Sequence, residues 1–232
     1  MAEAKIIIAL DYSSSEEALI LVRQLKPELC KLKIGKELFT IAGPNLVREL
    51  VDMGYDVFLD LKFHDIPNTV AQACKAAANL GVWMLNVHAL GGQKMLLAAR
   101  EAVNSTQHTP LLIAVTILTS MAEEDLQQIG INGTPQENVE RLAKLSEEAE
   151  LDGVVCSSKE VQFLRQTIKP NFKLITPGIR PAGSNVDDQK RIMTPYDAIQ
   201  AGSDYLVIGR PITKATDPLQ ALIDINNQLG ER

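Results

Sequence analysis

Eight short, nearly unbroken apolar runs recur along this chain, and they constrain its fold more than any other feature. They are KIIIAL (5–10), LCKLKI (29–34), YDVFLDL (55–61), WMLNVHA (83–89), LLIAVTIL (111–118), GVVCS (153–157), FKLITP (172–177) and DYLVIG (204–209). Runs with so little polar alternation suit strands buried on both faces, as in a parallel sheet. The segments between them read as amphipathic helices. SSSEEALILVRQL offers Ser15 as an N-cap followed by early glutamates. TPQENVERLAKLSEEAE places Thr134 as cap and Pro135 in the first turn, with Val139, Leu142, Leu145 and Ala149 as its apolar positions. Eight strands, each followed by a helical segment, predict a (β/α)8 TIM barrel. The count and the 232-residue length favour it over an open doubly wound sheet. No linker, low-complexity segment or composition shift divides the chain, so one domain is expected over 1–232.

Composition narrows the function classes. The net charge of −6 argues against nonspecific nucleic-acid binding, which needs a basic surface, but leaves room for a small anion held by a few local cations. No apolar run reaches the roughly 18 residues of a membrane span. The N-terminal run is too short for a usual signal peptide and reads as a first strand, which points to the cytoplasm. Cys30, Cys74 and Cys156 have no metal or redox spacing. Cys74 and Cys156 lie among apolar residues and read as core positions.

A barrel places its active site at the C-terminal ends of the strands. Polar residues collect there: Asp11 after the first run, Lys33 late in the second, Asp60 and Lys62 ending the third, His88 on the fourth, and Thr119 and Ser120 after the fifth. Side chains alternate along a strand, so Asp60 and Lys62 point to the same side and, if that side is the barrel interior, both face the mouth of the pocket. Asp65 follows, placed either to serve the site or to cap the next helix, and the Asp60–Lys62 pair suits either catalysis or an ordinary ion pair. Lys33, at an equivalent position on the neighbouring strand, completes an alternating Lys–Asp–Lys–Asp array. Flanking carboxylates favour the ammonium form of Lys62, which makes it a poor nucleophile but a good proton donor to a strongly basic carbanion.

Loops after strands 7 and 8 commonly hold phosphate. TPGIRPAG (176–183) supplies Gly178 and Arg180, and VIGRPIT (207–213) supplies Gly209 and Arg210. Glycine lets backbone N–H groups approach an anion, and arginine adds a forked donor. The polar stretch 181–190 between them reads as a lid. His64 and His88 read as hydrogen-bonded structural residues, because a metal between them would meet Lys33 and Lys62. His108 reads as exposed, Trp83 as packing, and LGG (90–92) as a tight turn.

IIALD (7–11), KIGKELF (33–39), FLDLKFHDIPNTV (58–70), NVHALGG (86–92), AVTILTSM (114–121), DGVVCS (152–157), TPGIRP (176–181) and VIGRPIT (207–213) together resemble the bacterial-type orotidine 5′-phosphate decarboxylase family over nearly the whole chain. The resemblance implies a metal- and cofactor-free lyase that makes UMP from orotidine 5′-monophosphate in pyrimidine biosynthesis. It also implies a homodimer with shared active sites. By the same resemblance, Asp60 and Lys62 lie beside the substrate carboxylate, and Asp65 and Thr69 reach in from the partner subunit. Asp11 and Lys33 bind the ribose, while Thr119 and Ser120 meet the pyrimidine. Gln189, Gly209 and Arg210 hold the phosphate, with Pro177 and Arg180 in the closing loop.

Three other functions suit such a barrel. A metal-assisted sugar-phosphate decarboxylase would need Mg2+ and an enediolate. A noncatalytic nucleotide-binding barrel would use the charges for recognition alone. A phosphate isomerase fits the fold, but its carboxylate or neutral base sits poorly beside Lys62.

Overall fold

The computed structural model of the chain describes residues 3–181 and 193–230. Eight parallel strands close into a barrel in chain order: β1 (Ile6–Leu10), β2 (Lys31–Gly35), β3 (Val57–Phe63), β4 (Met84–His88), β5 (Leu111–Val115), β6 (Gly153–Val155), β7 (Lys173–Pro177) and β8 (Tyr205–Ile208). β8 pairs with β1, so the sheet has no open edge and the doubly wound alternative is excluded. Every expected strand is present, most of them trimmed at the ends.

The connections are helical. α1 (Ser15–Val22), α2 (Lys36–Asp52), α3 (Pro67–Ala78) and α4 (Gly92–Asn104) follow the first four strands. A short 3-10 turn, Ala89–Gly91, precedes α4, in keeping with a tight turn at LGG. α5 (Glu123–Gln128) and α6 (Pro135–Glu148) follow β5, α7 (Val161–Arg165) follows β6, and α8 (Pro195–Ala201) follows β7. α9 (Arg210–Thr213) and α10 (Pro218–Gly230) end the chain. The cap of α6 forms as its sequence predicts. Thr134 Oγ1 accepts from Glu137 N–H, and a Glu137 carboxylate oxygen accepts from Thr134 N–H at 2.8 Å. The cap of α1 is one residue earlier than expected: Ser14, in extended conformation, accepts from Glu17 N–H, and Ser15 is already helical.

Alternation along each strand sorts side chains into two layers. Ile6, Ile8 and Leu10 pack outward under the helices, while Ile7 and Ala9 enter the barrel beside Phe58, Met84, Ile113 and Val207. All three cysteines are buried and unpaired, and burial pushes the Cys30 and Cys74 thiols up to about 12, as suits core positions.

At the N-terminal end of the barrel, Lys31 is only 3% exposed. Its ammonium lies 2.5 Å from Asp56 and 3.4 Å from Glu3. It also sits 4.2 Å over the Trp83 ring, whose neighbour Tyr205 donates its hydroxyl to Glu3 at 2.6 Å. Trp83 is thus a packing residue with a charged partner. His108 is exposed, its ring nitrogen 2.8 Å from the Val82 carbonyl.

Candidate active site

At the opposite end of the barrel, the interior row continues from apolar into charged residues. Ala9 leads to Asp11, Phe58 leads to Asp60, and Lys33 pairs in register with both Ala9 and Phe58. The result is a chain of opposite charges. Lys33 Nζ lies 3.6 Å from Asp11 and 3.5 Å from Asp60, and Lys62 Nζ lies 2.6 Å from the other oxygen of Asp60. Burial alone would push the Asp60 carboxyl up. The charges of Lys33 and Lys62, with hydrogen bonds from Lys62 and Asn86, overcome that and hold it below the usual carboxylate value. Gly35, next on β2, leaves this space open, since a Cβ there would lie 3.3 Å from Lys33 Nζ.

Lys62 reaches Asp60 by a route other than strict alternation. Leu59 pairs with Leu85 and Phe63 with Val87, so three residues of β3, Asp60 to Lys62, face the single residue Asn86 of β4. This is an enlarged β-bulge. Within it Lys62 has φ 54°, a left-handed conformation that only one other described non-glycine residue, Glu150, shares. The two side chains meet because the backbone is kinked.

Two adjoining compartments open onto the charges. The deeper one, of 190 Å³, is lined by Lys33, Asp60 and Lys62 on one side and by apolar residues including Val115, Ile117, Val155 and Ile175 on the other, with Thr119 at its edge. The outer one, of 320 Å³, is lined by Asp11, Lys33 and Asp60 together with Pro177, Gly178, Arg180, Gly209 and Arg210. Lys33, Asp60, Pro177 and Val207 belong to both. Gly178 has φ 78°, a turn that favours glycine. A small, largely apolar group suits the inner compartment, and an anionic group suits the outer, beside Arg180 and Arg210.

Most residues singled out in the sequence converge here, and three do not. Ser120 is exposed in the turn beyond Thr119 and lines neither compartment. Asp65 and Thr69 are exposed at the start of α3. Asp65 is not the cap of α3: that position is Ile66, and the Asp65 carboxylate accepts the Ile66 N–H at 2.6 Å. The charge array within one chain therefore runs Asp11–Lys33–Asp60–Lys62, without Asp65. Gln189 and most of the stretch read as a lid lie outside the described residues.

His88 departs from its expected hydrogen-bonded role. Its buried Nδ1 has no partner among the described residues, and its ring stacks on His64 at 5.4 Å. Burial, then His64, Lys36 and Lys62, lowers its pKa to about 4, so the ring is neutral at pH 7. Asn86, not singled out by the sequence pattern, hydrogen-bonds both Lys62 N–H and the Asp60 carboxylate. The signal was an amide in an otherwise apolar strand, two residues before His88. Among the described residues, no group of three or more His, Cys, Asp or Glu is placed to hold a metal ion, and no helix is long and apolar enough to cross a membrane.

Comparison with known proteins identifies relatives of the whole chain. The model of the orotidine 5′-phosphate decarboxylase / HUMPS family matches residues 4–225. The orotidine 5′-phosphate decarboxylase of Hydrogenovibrio crunogenus is 60% identical over 228 residues, covering 98% of this chain and 97% of its own length. That of Saccharophagus degradans is 61% identical over 228 residues, covering 98% and 96%. The crystal structure of the Lactobacillus acidophilus enzyme superposes with a TM-score of 0.89 at 38% identity, over 99% of this chain and all of that one.

Proposed function

From the premise that the chain belongs to the orotidine 5′-phosphate decarboxylase / HUMPS family, we propose that it converts orotidine 5′-monophosphate to UMP and CO2 in pyrimidine biosynthesis. The observation that carries the reading is the Lys62 ammonium, 2.6 Å from Asp60 at the edge of a largely apolar compartment.

Loss of CO2 from C6 of the pyrimidine leaves a vinyl carbanion with little resonance stabilisation. Catalysis requires that this anion be bound better than the substrate carboxylate. Lys62 supplies a fixed positive charge where the anion develops and then protonates C6. Asp60 lies beside the departing carboxylate and holds Lys62 in place. Lys33 bridges Asp60 and Asp11 and, with Asp11, binds the ribose hydroxyls. Thr119 and Ser120 meet the pyrimidine edge. Gly209, Arg210 and Gln189 bind the phosphate, and Pro177 and Arg180 belong to the loop that closes over it. The step draws on no metal or cofactor. Phosphate binding contributes to rate by driving closure and expelling water around the ring.

The working unit is a homodimer of single-domain chains in the cytoplasm, with Asp65 and Thr69 of each chain completing the site of the other. Their exposure beside Ile66, itself 67% exposed, supports this reading. Mixing Lys62→Ala chains with Asp65→Ala chains tests it: shared sites restore part of the activity, and self-contained sites restore none.

The activity is tested by following loss of the orotate absorbance on adding orotidine 5′-monophosphate to the purified protein with EDTA present. Rapid loss with UMP as product supports the reading. Activity that appears only when Mg2+ is restored points to metal-assisted chemistry, and UMP binding without turnover points to a nucleotide-binding role.

A further inference from the structure

We infer that Asn86 is a positioning residue for the decarboxylation, clamping the β3 bulge so that Lys62 and Asp60 are aimed at the reacting carbon. Asn86 is fully buried, and its amide is used at both ends. Its Oδ1 accepts the backbone N–H of Lys62 at 2.8 Å, and its Nδ2 donates to Asp60 Oδ1 at 2.7 Å. The same Asp60 oxygen receives the Lys62 ammonium at 2.6 Å. One side chain thus fixes the main chain of the proton donor and the carboxylate that orients it.

The bulge explains why an amide is needed. Three residues facing one leave the Lys62 N–H without a ladder partner, and a buried unpaired N–H is costly. A left-handed conformation at a lysine is also unfavourable unless its surroundings enforce it. Asn86 answers both demands from the one position opposite the bulge. An apolar residue of similar size would fill the space and do neither. A hydroxyl is too short to span from the Lys62 N–H to the Asp60 carboxylate. Asn86 lines neither compartment, so its effect passes through Lys62 and Asp60.

The inference rests on the decarboxylase reading, and the experiment separates the two. Asn86→Ala is expected to lower kcat about 100-fold, the scale of a catalytic group misplaced by about 1 Å. The dissociation constant for UMP is expected to stay within about threefold of wild type, because binding and chemistry are held by different residues. Added to Lys62→Ala, the same substitution is expected to cost far less than it does alone, since the group it positions is gone. A merely structural asparagine would give a parallel loss of UMP binding and turnover and an additive double variant. Should Asn86→Ala not fold, Asn86→Asp keeps the volume and the acceptor for Lys62 N–H but faces Asp60 with a second carboxylate. Its expected loss of kcat is again about 100-fold with UMP affinity retained. A kcat within about threefold of wild type in whichever variant folds overturns the inference while leaving the decarboxylase reading intact. A wild-type protein that does not turn over orotidine 5′-monophosphate overturns both.

Discussion

The two ends of the barrel carry the same chemistry to opposite purposes. Lys31 and Lys33 are two residues apart on β2 and point the same way, into the barrel. Each meets two carboxylates: Lys31 meets Asp56 and Glu3, and Lys33 meets Asp60 and Asp11. At the N-terminal end, the Lys31 ammonium packs against the Trp83 and Tyr205 rings and lines no described cavity. At the C-terminal end, the rings are replaced by Gly35, Gly209 and an apolar hollow of 190 Å³. A lysine among carboxylates therefore says little by itself. What faces it across the open side decides whether it staples the fold or serves a ligand.

Lys62→Ala gives the sharpest test of this contrast. It is expected to cut kcat by several orders of magnitude with little change in melting temperature, measured by orotate absorbance and thermal denaturation. Near-normal turnover would remove Lys62 as proton donor.

The next effect lies at the other end. Lys31→Ala empties a buried position against the Trp83 ring, while Asp56 and Glu3, each more than half exposed, stay solvated; it is expected to cost about 1 to 2 kcal/mol in urea denaturation, with kcat unchanged. Loss of turnover at unchanged stability would break the contrast outright.

A third prediction concerns pH and belongs to the mouth alone. His88 is neutral in the folded chain down to about pH 4, whereas an unfolded histidine gains its proton near pH 6.5. The unfolded state therefore binds more protons across that window, and stability must fall as pH drops from 6.5 towards 4. His88→Phe is expected to flatten this part of the melting profile, and an unchanged slope would remove His88 as its source. Asp60 acts at lower pH with a shift in the same direction, through its charged rather than its neutral form. Its depressed pKa adds stability above the unfolded carboxylate value, and that stability is lost as pH falls through the folded value. The smallest effect is expected from Gly35→Ala. It nudges the Lys33 ammonium and should raise KM for the nucleotide a few-fold, roughly the cost of one weakened hydrogen bond. No change in KM would mean that Lys33 has room to shift.

Much of this organisation was legible in the sequence, for physical reasons that also mark the limits. The strands could be read because burial on both faces demands apolar runs, as in IIIAL and LLIAV. The mouth residues could be read because a barrel fixes which strand end holds them. The bulge could not, because Asp60-Leu61-Lys62 has the spacing of a regular strand, and only pairing with β4 reveals the mismatch. Asn86 was hidden for the same reason: its task exists only once the bulge does. His88 was misread because its partner is an aromatic face, which leaves no donor–acceptor signature. The caps were mixed: Thr134-x-x-Glu137 specifies its position, whereas three consecutive serines before Glu16 and Glu17 leave one residue of freedom.

The placement of Lys31 and Lys33 also bears on how the chain avoids misassembly. Leu32 and Ile34, which alternate with the lysines, are buried in the layer beneath the helices. Were β2 to slip by one residue against β1 during folding, both leucine and isoleucine would turn inward and both lysines would enter the helix layer, far from their carboxylates. Two uncompensated charges in an apolar layer make that slipped chain too unfavourable to persist. The strand that supplies a cation to each end of the barrel is thereby proofread by those same cations.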